Sequence, residues 1–153
     1  MKIAVGADHG GFLAKEALVR RLTSLGHQVE DLGTTSDVSS DYPDHAAAVG
    51  KAVASGRAER GVLICGTGIG MAMAANKIPG VRAAVVWNET TAALAAEHNG
   101  ANILCLGGRV LSPARLLRLV GIWLKTPFGG GRHARRVQKI ARLEKTENAR
   151  RCN

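Results

Sequence analysis

Aromatic residues are scarce in this chain: two tryptophans, one tyrosine and two phenylalanines in 153 residues. So few rings leave little on which the bases of a single-stranded nucleic acid could stack. Cysteine is sparse as well, and its three copies, Cys65, Cys105 and Cys152, are widely spaced. No CxxC or HxxxH pair occurs, so the usual nucleus of a zinc site is missing, and an odd count suits free thiols rather than a disulfide framework. No apolar run approaches the roughly 18 residues that span a bilayer. The opening Met1-Lys2-Ile3-Ala4-Val5 goes straight into a strand pattern, without the apolar stretch of a signal peptide. A cytoplasmic protein without a metal or a membrane is therefore expected. Repeats, low-complexity tracts and linkers are also absent, and the length predicts a single domain with a real core.

Positive charge is plentiful but local. The net charge is +9, yet residues 1–131 carry 13 Lys/Arg against 10 Asp/Glu, while residues 132–153 carry 8 against 2. The excess belongs to one helix and tail rather than to a field over the surface. An RNA-binding module led by that tail is a weaker reading than a small-molecule protein.

Five apolar runs alternate with helical spacing. Lys2–Ala7, Gln28–Leu32, the run ending at Cys65, Val81–Trp87 and Ile103–Leu106 read as strands, most of them apolar on both faces. Helices are predicted from Phe12, from Asp41–Asp44 to about Ser55, after Gly70, through His98, from Ser112-Pro113 to about Lys125, and from about Arg132. That alternation predicts a parallel sheet covered on two sides, a three-layer α/β/α sandwich of Rossmann-like type. In such sheets ligands bind beyond the carboxyl ends of the strands. Asp8-His9, Cys65–Gly70, Asn88-Glu89 and Gly107–Arg109 are all placed there, and His98 is assigned to the same edge.

The central stretch is Gly61-Val62-Leu63-Ile64-Cys65-Gly66-Thr67-Gly68-Ile69-Gly70. A strand runs into a thiol, and a glycine turn then opens a helix whose free N–H groups face the turn. Cys65 reads either as a small core residue or as a thiol of lowered pKa beside donors for an oxyanion. Cys105, flanked by leucines, reads as core, and Cys152 as exposed and incidental. The loop is not a Walker loop, because no Gly-Lys-Ser/Thr follows. It is not a dinucleotide fingerprint either, because the spacing is G-x-G-x-G after the third strand. No nucleotide cofactor is expected. His9 and His98 read either as surface residues or as general acid–base candidates. Arg132 and Arg136 share a helix face with His133 beside them, and with Arg109 they suit bidentate phosphate recognition.

Together these motifs resemble the type B ribose-5-phosphate isomerases, grouped with the galactose-6-phosphate and allose-6-phosphate isomerases. The matching stretches are Gly6–Phe12, Asp41-Tyr42-Pro43, Ile64–Gly70, Ala74–Lys77, Glu97-His98-Asn99 with Ala101-Asn102, Leu106–Arg109 and Gly130–Val137. They run in order through residues 1–142, the expected domain, and leave 143–153 as a basic C-terminal tail. The resemblance implies a five-stranded sheet in the order 2-1-3-5-4. It also implies a homodimer or dimer of dimers, with the C-terminal helix exchanged and active sites shared between subunits.

The implied reaction interconverts an aldose and a ketose phosphate through a cis-enediolate, without a cofactor. By the same resemblance Cys65 is the base, the amides of Gly66, Gly68, Ile69 and Gly70 hold the enediolate, and Thr67 relays a proton. His98, near Asp8, opens the sugar ring. Asn99 and Tyr42 contact hydroxyls, and His9, Arg109, Arg132 and Arg136 hold the phosphate. One branch of the family carries a glutamate just after the loop where this chain has Met71, which leaves Cys65 as the base. Another aldose phosphate, or a non-catalytic sugar-phosphate-binding regulator on the same fold, is the alternative. No role is assigned to Trp87–Thr91 or to the tail.

Overall fold

The apolar runs form strands that are buried on both faces because helices cover both sides. In the computed structural model, the backbone is described for residues 1–151 and the side chains for residues 1–145. Cys152, expected to be exposed, lies outside the described residues. The strands are β1 (Lys2–Ala7), β2 (Gln28–Asp31), β3 (Arg60–Cys65), β4 (Ala83–Val85) and β5 (Ile103–Gly107). All pair in parallel, in the order β2-β1-β3-β5-β4. The helices are α1 (Phe12–Ser24), α2 (Tyr42–Ala54), α3 (Ile69–Ala75), α4 (Glu89–Glu97), α5 (Pro113–Lys125) and α6 (Gly131–Arg151).

Alternation along the strands divides the core in two. On one face Ile3, Val5, Val62, Ile64, Leu104 and Leu106 pack under α1, α4 and α5. On the other, Ala4, Leu63, Cys65, Ile103 and Cys105 pack under α2 and α3. The chain leaves β1 first toward β2 and later returns to β3 on its other side. The order of the strands therefore reverses between β1 and β3, where α/β sheets open a crevice for ligands.

Two elements differ from expectation. β4 is shorter than Val81–Trp87, because side chains replace part of its ladder. Arg82 N–H donates to Asn102 Oδ1 at 2.7 Å, and Asn76 exchanges two bonds with the Ala83 backbone at 2.8 and 2.9 Å. Asn76 thereby covers backbone groups on an edge strand. Residues 143–151 continue α6 without a break, so the basic segment is helical as far as Arg151. α6 touches its own chain where the Gly80 N–H donates to Glu144 Oε1 at 2.9 Å.

The unassigned segment after β4 is a helix start. Asn88 and Thr91 form a reciprocal capping box, and Glu89 pairs with Arg118 at 3.5 Å and Arg115 at 3.8 Å. Trp87 is exposed, beside an apolar cleft that includes Thr67, Ile69 and Val110.

The other tryptophan anchors the opposite end of the fold. Trp123 is fully buried, and its Nε1 donates to the carbonyl of Ala101 at 3.2 Å. Trp123→Ala is expected to cost about 3–5 kcal/mol, as for other buried aromatic truncations, measured by denaturant unfolding.

Candidate active site

β3 ends at Cys65, beside the reversal point. Its side chain is 5% exposed, and Sγ accepts a hydrogen bond from the Gly68 N–H at 3.1 Å. Gly68 makes this turn with φ of +83°, and a Cβ there would lie 3.0 Å from the Leu106 backbone. Both the conformation and the space require glycine. α3, seven residues long, follows this turn. Cys105 differs as expected: it is wholly buried, and burial first, then the nearby Cys65, pushes its thiol up.

Neighbouring strand ends close on the same loop by backbone contact. The Gly108 N–H donates to Cys65 O at 2.7 Å and the Arg109 N–H to Gly66 O at 3.1 Å. The Arg109 side chain lies over Gly66, with its Cδ 3.4 Å from where a Cβ would stand. From β1, the Gly10 N–H donates to Asp8 Oδ1 at 2.9 Å, and the Asp8 side chain is buried. His9 Nδ1 accepts from the Ser40 N–H at 3.3 Å. The Tyr42 ring lies against Gly70, where a Cβ would be 2.7 Å from the ring. The Ile69 N–H donates to Thr67 Oγ1 at 3.3 Å. One edge of the sheet thus gathers Asp8, His9, Tyr42, Cys65, Gly66, Thr67, Gly68, Ile69, Gly70 and Arg109.

His98 is not among them, and its expected placement is corrected here. α4 starts at the carboxyl edge after β4 and runs back, so its last turn reaches the opposite edge of the sheet. There the Gly61 N–H, at the start of β3, donates to Asn102 O at 2.9 Å. Four strand steps separate Gly61 from Cys65, about 13 Å at the usual rise. His98 and Asn99 lie at this far edge within one chain, and α6 starts beside them. The Gly129 N–H donates to Glu97 O at 2.9 Å, and the His98 ring stacks on His133 with centroids 4.1 Å apart. Arg132 and Arg136 are exposed on the same helix. The site residues named from sequence therefore form two groups, one at each edge.

The His98–His133 stack was not foreseen. Thirty-odd residues separate the two rings, and only the arrival of α6 at the end of α4 joins them. His133 is buried, and this burial first, then the charges of His98, Arg132 and Arg136, lowers its pKa against a smaller opposing pull from Glu97.

Among the described residues no cluster of His, Cys, Asp or Glu is arranged to hold a metal ion, and no helix is long and apolar enough to cross a membrane. The fold defines a doubly wound α/β protein whose switch point brings together a thiol, a glycine turn and polar side chains. The family model described as Ribose/Galactose Isomerase matches residues 3–140, and the chain belongs to that family. It is 43% identical over 147 residues to ribose-5-phosphate isomerase B of Escherichia coli (strain K12), covering 96% of this chain and 99% of that protein.

Among solved structures, ribose-5-phosphate isomerase B of Clostridium thermocellum superposes with a TM-score of 0.95 at 50% identity, covering 96% of this chain and 99% of that one. The enzyme of Mycoplasma genitalium, solved with bound ribulose-5-phosphate, gives 0.91 at 44% identity, covering 94% and 96%.

The environment of His133 sets a pH dependence. The unfolded chain binds this proton near pH ~6.5, whereas the folded chain resists it to lower pH. Stability therefore falls as pH drops below that value. Melting temperatures between about pH 7.5 and 5.5 are expected to decline less steeply in His133→Asn than in the wild-type chain.

Proposed function

We propose that this chain is a ribose-5-phosphate isomerase that interconverts ribose 5-phosphate and ribulose 5-phosphate through a cis-enediolate, with Cys65 as the base. The observation that carries the reading is the Cys65 thiol in the switch-point crevice, with the Gly68 N–H aimed at its sulfur at 3.1 Å. That contact fixes the direction in which the sulfur points at the end of β3. Membership of the family supports the same reaction. Met71 is buried and the first turn of α3 holds no acid, so no carboxylate stands just after the loop to take the role.

The chemistry follows from that placement. Cys65 takes the proton from C2 of the open-chain aldose, and the electron pair moves into the C1–C2 bond as the C1 carbonyl becomes an enediolate oxygen. Backbone N–H groups of Gly66–Gly70 hold the negative charge, which is strongest in the transition state, those of Gly68 and Ile69 turning to it from Cys65 Sγ and Thr67 Oγ1. Thr67 passes a proton between O2 and O1, and Cys65 returns its proton to C1 to give the ketose. His98, with Asp8, opens the furanose ring before this step. Asn99 and Tyr42 hold hydroxyls, while His9, Arg109, Arg132 and Arg136 bind the phosphate and orient the reacting carbons.

We infer further that the working unit is a homodimer, or a dimer of dimers, with shared sites. A five-carbon phosphate is about 8 Å long at ordinary bond lengths, too short to bridge edges about 13 Å apart. A second copy supplies the missing group to each crevice, with α6 carrying Arg132 and Arg136 across. The unpaired Cys65 and Cys105 suit the cytoplasm.

Ribose 5-phosphate turnover in EDTA is expected for the wild-type chain, with a loss of at least about a hundredfold in Cys65→Ala. An equally active Cys65→Ala would overturn the mechanism. Arg132→Ala is expected mainly to raise KM. Refolding Cys65→Ala together with His98→Gln should regenerate one intact site per mixed dimer, about a quarter of wild-type activity under random pairing. Sites contained in one chain would give no recovery. Comparing ribose 5-phosphate with allose 6-phosphate and galactose 6-phosphate tests the substrate.

A further inference from the structure

We propose that His45, acting through Ser40, is a positioning residue that holds His9 in the tautomer with its proton on Nε2. The inference rests on His9 as a phosphate ligand for its consequence, but not for its geometry.

Three contacts fix the direction of every hydrogen bond in the chain of groups. His45 Nδ1 lies 3.1 Å from the Leu32 carbonyl, which can only accept, so Nδ1 carries the His45 proton. In the neutral ring Nε2 is then an acceptor, and it lies 3.4 Å from Ser40 Oγ, whose hydroxyl donates to it. The Ser40 backbone N–H can only donate, and it meets His9 Nδ1 at 3.3 Å. His9 Nδ1 is therefore the unprotonated nitrogen, and its proton sits on Nε2. That N–H has no hydrogen-bond partner among the described residues and is left to a ligand. A phosphate oxygen accepts from an N–H and is repelled by a lone pair, so the tautomer decides whether His9 assists binding.

The loop needs such a restraint. Gly33–Ser40 is irregular, with half of its residues exposed and none buried. Its start is tied down by the Leu32 and Thr34 N–H bonds to β1, at 2.8 and 2.9 Å, and by Asp31, which pairs with the buried Lys15. At its far end, Ser40 is held by the two histidines. His45 grips both ends of the loop at once, Leu32 with one ring nitrogen and Ser40 with the other.

Long-range 1H–15N correlation spectra of the full-length protein report the tautomer of each histidine directly. His9 should show the Nε2–H form in the wild-type chain and a mixture of both neutral tautomers in His45→Ala. Ser40→Ala, which leaves α2 untouched, should show the same loss. His45→Gln keeps an acceptor within reach of Ser40 and should retain the wild-type pattern, whereas His45→Asn keeps only the donor to Leu32 and should not. In steady-state assays with ribose 5-phosphate, His45→Ala and Ser40→Ala should raise KM about tenfold while kcat changes by less than about twofold.

An unchanged His9 tautomer in both His45→Ala and Ser40→Ala overturns the positioning role, and so does rescue by Asn rather than Gln. Unchanged KM in His9→Ala would instead remove His9 from the phosphate site, and the tautomer spectra would still decide the role of His45.

Discussion

A Cβ on Gly11 would lie 2.4 Å from the carbonyl oxygen of Ile64, so at the switch point the loop leaving β1 rests directly on the backbone of β3. The rest of the site is built on that approach. Gly10 lies against the Gly66 nitrogen, Gly108 against the Gly10 carbonyl, and Gly107 against Thr67. Three strand ends thus meet with no side chains between them, and the room saved belongs to Asp8, Cys65 and Arg109. A protein interior packs densely enough that one added methyl at such a point must displace backbone. The glycines place the thiol as much as they turn the chain.

Helix α4 contributes to function by its direction. It begins at the edge where the thiol is, and it delivers His98 and Asn99 to the other. α6 then starts from that far edge, with His133 stacked on His98 and the arginines beyond. One fold feature therefore divides Asp8, His9, Cys65 and Arg109 at one edge from His98, Asn99, Arg132 and Arg136 at the other. Under the proposed function, neither set is complete without the other.

The sheet was legible in the sequence because its strands carry apolar residues on both faces, and helix starts such as Ser112-Pro113 announce themselves chemically: Ser112 Oγ accepts from the Arg115 N–H. The turn after Cys65 was legible because alternating glycines follow an apolar run, and Gly68 does take a φ of +83° there. His98 was misplaced although the alternation of strands and helices was enough to place it: a helix between two parallel strands starts at the carboxyl edge and has to end at the other. The short β4 was hidden because Asn76 and Asn102 take over ladder bonds from positions remote in sequence. The stack of His98 on His133 and the grip of His45 on Ser40 join different elements, and no local signal encodes either.

The division of the site between two edges has a geometric consequence for assembly. Two complementary faces on one molecule can be satisfied in either of two ways. A reciprocal pair related by a two-fold axis uses both faces at once and leaves none open. A head-to-tail arrangement that fails to close would leave one face free at each end and grow without limit. Under the proposed shared sites, the angle between the two faces separates a finite enzyme from a filament. α6 takes its direction from the turn at its start, where Gly130 and Gly131 take φ of +62° and +50°.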